Sequence, residues 1–291
     1  MVKGVICLII TNRIRISSQV ILKRELETRM CVQAMKFPEG LIIEDLEKTR
    51  ESIVGFIQEL VQKTGQEGIV LGMSGGIDSA LVASLSAAAL GPERVQVMLM
   101  PVHREKDEQN INDAKQLIDQ LGISYKLFEL NQAVDAFRSL NLGKVALGNI
   151  AARLRMTTLY SQANNYNLLV AGTGNRTEIL IGYFTKYGDG ACDLLPLANL
   201  YKVNVRRLAK HMNIPRQIIE KAPSAGLWEN QTDEGEIGIT YDELDTILYL
   251  RFDKGYSPEQ IIDWGINKEN VDRTLELIAS SQHKRDPIPK P

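Results

Sequence analysis

Gly68-Ile69-Val70-Leu71-Gly72-Met73-Ser74-Gly75-Gly76-Ile77-Asp78-Ser79-Ala80-Leu81-Val82-Ala83-Ser84-Leu85 is the stretch that decides the fold. Its start is an apolar run of strand length, residues 80–85 read as an apolar helix, and a glycine-rich turn lies between them. Such a turn is where a protein can hold phosphate. Glycines let the backbone approach the ligand, and the free N–H groups of the helix start point at the anion. Asp78 and Ser79 fall where the helix begins, so each can cap it or hold a metal.

Two commoner loops are excluded. There is no Gly-Lys-Ser/Thr, hence no lysine to reach a γ-phosphate. The dinucleotide pattern G-x-G-x-x-G fails because Ser74 stands at its second glycine. What remains, Ser74-Gly75-Gly76-Ile77-Asp78-Ser79, resembles the pyrophosphate loop of enzymes that cut ATP between the α and β phosphates. The plain alternative is a Gly-rich turn with a helix cap.

Working outward, apolar residues at helical spacing between Leu41 and Lys63 predict a helix before the first strand. A second strand is predicted over 95–100, ended by Pro101, and a helix over 107–121, closed by Gly122. A third strand follows over 124–128, a long helix over 146–163 and a fourth strand over 168–172. This alternation predicts an α/β fold, a parallel twisted sheet with helices on both faces. The loop after Gly72, the region after Pro101 and the turn after Gly172 then share the carboxyl edge, where such sheets bind ligands. The rest reads as a helical C-terminal part, with helices over 203–212, 215–221, 241–252, 258–264 and 268–282. A Gly/Asp/Glu-rich loop carrying Trp228 spans 222–238.

The 291 residues suffice for one large α/β domain with elaborations. Apolar residues make up 44% and charged residues 24%, with a net charge of −2, so the balance gives no reason to expect a nucleic-acid or membrane partner. Cys7, Cys31 and Cys192 lie far apart, as do His103, His211 and His283, which argues against a zinc site and fits a reduced, cytoplasmic protein. The apolar run at residues 5–10 is too short to span a bilayer, and arginines rather than a cleavage site follow it. Residues 1–34 are expected to be an N-terminal extension outside the core fold, with the catalytic domain at 35–291. The alternative is an extra strand or a dimer arm.

A second constellation follows the fourth strand: Gly172-Thr173-Gly174-Asn175-Arg176-Thr177-Glu178. Asn175 can cap the next helix, with Glu178 on its first turn. Two carboxylates at adjacent strand ends, Asp78 and Glu178, also suit Mg2+ on a polyphosphate. The irregular run 182–197, rich in Gly, Tyr, Lys and Asp, is a functional-loop candidate or else a solvated surface loop.

Seven stretches, in order, resemble the ammonia-dependent NAD synthetases. They are Gly72–Ser79, 149–156, Gly172–Glu178, Phe184–Gly190, Asp193–Leu197, 223–228 and His283-Lys284-Arg285. The resemblance covers about residues 36–286 and implies an adenine nucleotide α-hydrolase-like fold. It implies a ligase that amidates deamido-NAD to NAD through an adenylated intermediate, with ammonia as nitrogen donor and AMP and pyrophosphate as products. It also implies Mg2+, ATP as co-substrate and a homodimer. Gly72, Met73, Ser74, Gly75, Gly76, Ile77, Asp78 and Ser79 would cradle the ATP phosphates, with Thr173, Lys202 and Ser224 contacting ATP. Asp78 and Glu178 would hold the metal. Arg153, Lys186, Asp193, His283 and Lys284 would hold deamido-NAD, and Asp78, Glu178 and Lys186 would carry catalysis. Serine at 224, where relatives often have threonine, keeps the hydroxyl.

Another ATP pyrophosphatase, activating a different carboxylate or carbonyl, remains the rival. Guanosine monophosphate synthetase, argininosuccinate synthetase and tRNA-thiolating enzymes resemble the chain in this loop. A metal-cluster thiolase would want grouped cysteines, and a nucleic-acid substrate a basic surface. A module that senses ATP without turning it over is the alternative from another class; Asp78, Glu178 and Lys186 together argue against it.

Overall fold

The computed structural model describes residues 37–105, 107–224, 226 and 231–291. Residues 1–34, Cys7, Cys31 and Trp228 lie outside them, so the readings placed there have no structural counterpart below.

Helix α1 (Leu46–Thr64) opens the described chain; Asp45 caps it by accepting from Lys48 N at 2.9 Å. Strand β1 (Gly68–Gly72) leads through the glycine-rich turn into α2 (Ile77–Leu90), and β2 (Val95–Leu99), α3 (Glu108–Leu121) and β3 (Ser124–Leu127) follow. The chain then returns through α4 (Asn131–Asp135) and the long α5 (Lys144–Tyr166) to β4 (Leu168–Val170). Among the described residues the sheet has order β3-β2-β1-β4, with every pairing parallel.

Strand alternation explains why helices cover both faces. Ile69 and Leu71 point to one side and pack with α2, α3 and the inner face of α1. Val70, one residue off, points to the other side and packs with Ala151 and Ala163 of α5. Because β2 and β3 were laid down on one side of β1 and β4 on the other, the winding reverses between β1 and β4. This is the switch point at which an open parallel sheet leaves a crevice beyond its strand ends. Helix α2 sits between the sheet and other helices, and ten of its fourteen residues are buried, which is why its sequence is apolar all round.

The remaining helices are α6 (Arg176–Ile181), α7 (Lys202–His211), α8 (Arg216–Ile219), α9 (Asp233–Ile237), α10 (Tyr241–Phe252), α11 (Pro258–Asp263), α12 (Lys268–Ser280) and α13 (Gln282–Arg285). Helix α10 packs on α6, α7 and α12. Residues 38–291 form one compact unit.

Three expectations are corrected. The fourth strand ends at Val170, because Ala171 bridges to Leu194 and draws the chain toward the 182–197 loop. The region 222–238 contains α9, started by Thr232 accepting from Gly235 N at 3.2 Å. The last helix breaks at Ser281, whose Oγ bonds back to Leu277 O at 2.6 Å. Among the described residues no helix is long and apolar enough to cross a membrane.

Candidate active site

The crevice at the β1/β4 switch point has a volume of about 490 Å3. Its floor is the turn after β1. Met73 N still donates to Met98 O of β2, at 3.0 Å, and the chain then leaves the sheet. Ser79 Oγ reaches back to accept from Ser74 N at 3.3 Å and donates to Gly76 O at 3.1 Å, closing the turn on itself. Gly75 takes φ +77°, and a Cβ there would stand 2.5 Å from Asn110 O of α3. Only glycine fits both constraints. Gly76 is the N-cap of α2, and no side chain of a described residue caps it. The N–H groups of that first turn are therefore left for a ligand, the arrangement by which helix starts take phosphate.

The acids meet above this floor. Asp78 lies on the first turn of α2 and Glu178 on the first turn of α6, and Lys202 of α7 inserts between them. Lys202 Nζ is 2.6 Å from Asp78 Oδ2 and 3.3 Å from Glu178 Oε1. Asn175 supplies the other half of the frame. Its side chain accepts from Glu178 N while its own N–H donates to Glu178 Oε2 at 3.2 Å, a capping box. Its Nδ2 donates to Asp78 Oδ1 at 2.9 Å. One asparagine thus caps α6 and ties it to α2.

Burial governs the charges here. It pushes the Glu178 carboxyl well above the usual range, with the Asp78 charge adding to the effect and the Lys202 ammonium opposing it. Burial also works against the Lys202 ammonium, but Asp78 and Glu178 outweigh it and hold this lysine above its ordinary pKa. Lys202 is 1% exposed, so its charge acts in a low-dielectric setting.

These groups fit Mg2+. Each of the four carboxylate oxygens already accepts one hydrogen bond, and each keeps acceptor capacity. With both acids ionised, as metal ligation requires, two acids against one lysine leave a net charge of −1. Mg2+ is held by one or two carboxylates and fills its shell with water and substrate phosphates. Among the described residues no three His, Cys, Asp or Glu side chains cluster to hold a metal by themselves.

The crevice wall takes in Gly72, Met73, Ser74, Gly76, Ile77, Asp78 and Ser79, together with Thr173, Glu178, Lys202, Ser224 and Lys284. Gly75 supports the loop from behind. Arg153, Lys186, Asp193 and His283 stand off this wall. Three of them form one neighbouring cluster: Lys186 Nζ donates to His283 O at 2.6 Å, and Arg153 Nη2 donates to Lys186 O at 3.2 Å. Lys284 joins that cluster to the crevice by donating to Gly182 O and Phe184 O, each at 2.7 Å. Asp193 is engaged at the sheet edge, accepting from Val170 N at 2.7 Å and Tyr160 OH at 3.0 Å.

Sequence reasoning passed over several wall residues. Lys221 Nζ spans from Asp113 Oδ2 (2.5 Å) and Asn110 Oδ1 (2.9 Å) to Gly75 O (3.3 Å), clamping the glycine-rich turn onto α3. Tyr183 donates to Glu236 Oε2 at 2.7 Å, and Tyr241 donates to Asp233 Oδ2 at 3.0 Å, so the acids of α9 face the same crevice. The acidic composition of 222–238 was the only signal for the second group, and Lys221 had none.

The chain matches the NAD synthase family model over residues 49–288. It is 46% identical over 252 residues to the NH3-dependent NAD+ synthetase of Hyperthermus butylicus, covering 85% of this chain and 91% of that one. Its structure is similar to that of an NH3-dependent NAD synthetase from Campylobacter jejuni, with a TM-score of 0.72 and 34% identity over 84% of this chain and 98% of that one. It is also similar to an NMN synthetase from Francisella tularensis, with a TM-score of 0.75 and 37% identity over 86% of this chain and 99% of that one.

Proposed function

This chain belongs to the NAD synthase family, and from that premise we propose how its residues divide the work. The enzyme is a ligase that amidates deamido-NAD to NAD with ATP and ammonia, releasing AMP and pyrophosphate. The observation that carries the assignment of roles is the meeting of the turn at 73–76, Asp78, Glu178 and Lys202 at one switch-point crevice.

A nicotinate carboxylate is a poor electrophile, so it must first be activated. One of its oxygens attacks the α-phosphorus of ATP. The new O–P bond forms as the bond to the β-phosphate oxygen breaks, and pyrophosphate leaves. Ammonia then adds to the carbonyl carbon of the mixed anhydride, loses a proton to solvent, and AMP leaves with the bonding pair. Residues 72–79 cradle the phosphates, with the uncapped N–H groups at the start of α2 donating to them, and the buried Lys202 ammonium faces the charge that develops on pyrophosphate. Asp78 and Glu178 would hold Mg2+, whose charge would offset that of the phosphates. The hydroxyls of Thr173 and Ser224 contact ATP. Arg153, Lys186, Asp193, His283 and Lys284 hold the dinucleotide and bring its carboxylate toward the α-phosphate. No side-chain nucleophile is needed.

The catalytic domain is residues 35–291, and the working unit is a cytoplasmic homodimer. A chain beginning at Met35 is expected to keep activity and thermal stability, and equilibrium sedimentation reports its oligomeric state. A large loss of activity in that chain would put residues 1–34 into the working enzyme.

The functional test is incubation of the purified chain with ATP, Mg2+, ammonium and deamido-NAD, scoring NAD, AMP and pyrophosphate. Stoichiometric NAD and AMP are expected, with glutamine alone ineffective. The likeness to an NMN synthetase makes nicotinate mononucleotide the competitor to run beside deamido-NAD. A higher kcat/KM for the mononucleotide would move the substrate assignment.

A further inference from the structure

Helix α7 begins inside the protein. Its N-cap, Tyr201, makes no side-chain capping bond, yet Lys202 and Val203 at its first turn are buried. Buried N–H groups at a helix start must find acceptors. Here they find them on two other helices. Lys202 N donates to Thr177 Oγ1 of α6 at 3.0 Å, and Val203 N donates to Asp245 Oδ2 of α10 at 2.8 Å. Thr177 Oγ1 in turn donates to Asp245 Oδ1 at 2.5 Å. Thr177 and Asp245 are both 0% exposed, so water does not substitute for any of these bonds.

The position of this relay is what gives it consequence. Thr177 immediately precedes Glu178, and Lys202 N belongs to the residue whose ammonium bridges Asp78 and Glu178. The backbone that carries the acid and the backbone that carries the lysine are therefore bolted together by one hydroxyl and one carboxylate outside the crevice. Burial pushes the Asp245 carboxyl up, and the bonds it accepts from Thr177 Oγ1 and Val203 N oppose that shift.

We propose that Thr177 and Asp245 are positioning residues of the ligase. They cap α7 from outside and thereby fix the separation of Lys202 and Glu178 that ATP phosphates require. The proposal rests on the crevice being the reaction centre. Neither residue lines it. Their effect passes through geometry, where small misplacements of a charged group are costly.

The test uses the full chain in three variants. Thr177→Val keeps the shape and removes the hydroxyl, Asp245→Asn removes the charge, and Thr177→Ser keeps the hydroxyl. Thermal midpoint, ATP affinity by equilibrium titration, and kcat per titrated ATP site are measured for each. A misplacement of about 1 Å can cost on the order of 100-fold, and a fall in kcat per site of at least about tenfold is expected for Thr177→Val and Asp245→Asn. ATP affinity should weaken with it, and Thr177→Ser should return most of the rate. The double variant should be no slower than the slower single one, because both changes cut the same chain of bonds. Counting sites removes any misfolded fraction, so a merely structural role would leave kcat per site unchanged, and that result overturns the proposal. So does failure of serine to restore the rate. If neither Thr177→Val nor Asp245→Asn folds, the relay is scaffold and the proposal falls. ATP affinity is read without the reaction, so an inactive wild type would tell against the functional reading while the relay is still tested.

Discussion

Lys202 Nζ stands 2.6 Å from Asp78 Oδ2, joining the start of α7 to the start of α2 across the crevice. The lysine is buried and the acid is not: Asp78, which lines the crevice, keeps 18% of its side-chain surface exposed. A buried cation at the proposed phosphate site would need no reorganisation as charge develops there, which is the basis of electrostatic catalysis.

Asp78→Asn tests this pair directly. The amide can still accept from Asn175 Nδ2, and Lys202 retains Glu178 at 3.3 Å, so the fold should survive. The charge proposed to hold Mg2+ is gone. Pyrophosphate release is expected to fall on the order of 100-fold or more, the usual cost of removing one such contact, with an unchanged circular-dichroism spectrum. Lys202→Ala is the harsher change, since two carboxylates would then face each other unpaired. Breaking a buried pair in this way typically costs about 3–5 kcal/mol. Near-normal turnover of Asp78→Asn with the same Mg2+ dependence would remove this acid from the metal site.

Gly75→Ala separates the geometry of the turn from its charge. Gly75 sits at φ +77°, and its added Cβ would meet Asn110 O at 2.5 Å. The left-handed conformation alone costs an alanine about 1–2 kcal/mol. At the usual scaling for a chain of this size, this lowers the melting temperature by roughly 2–8 °C. ATP affinity should fall as well, because the turn must shift away from α3. Gly55→Ala is the control of opposite sign. It lies in α1 with no atom near the added Cβ, and helix propensity favours the alanine by roughly 0.5–1 kcal/mol. Equal effects of the two substitutions on ATP affinity would show that Gly75 shapes no ligand site.

What the sequence made legible follows a physical line. Asp78 and Glu178 each lie in the first turn of the helix that follows a strand, so the strand–loop–helix pattern locates them without any tertiary knowledge. Gly122, the αL terminator of α3, is equally local. Lys221 is different. It reaches the glycine-rich turn only because α3 and α8 pack beside it, and its partners Asn110 and Asp113 are more than a hundred residues away in sequence. The same holds for Asp245 and Thr177, 68 residues apart. Helix α9 was hidden for another reason: five residues, three of them acidic, carry no apolar periodicity from which to read a helix.

Lys186 is where the implied role and the visible contacts ask different questions of one side chain. Its ammonium donates to His283 O at 2.6 Å, and its own carbonyl accepts from Arg153. It thus links the loop after α6 to the C-terminal turn α13, beside the crevice rather than on its wall. If Lys186 also meets the dinucleotide, its cation lies between a nicotinate carboxylate and an α-phosphate that repel each other as they approach. It would help most as charge rearranges in the transition state. Lys186→Ala is then expected to slow adenylation of deamido-NAD on the order of 100-fold while ATP affinity stays unchanged. A lysine that only ties the C-terminal turn behaves otherwise: its loss lowers the melting temperature and leaves the single-turnover adenylation rate of the folded enzyme intact. Single-turnover adenylation, ATP titration and thermal melting on the one variant separate the two. An unchanged adenylation rate would remove Lys186 from the reacting centre and with it the substrate role of the Arg153, Lys186 and His283 cluster.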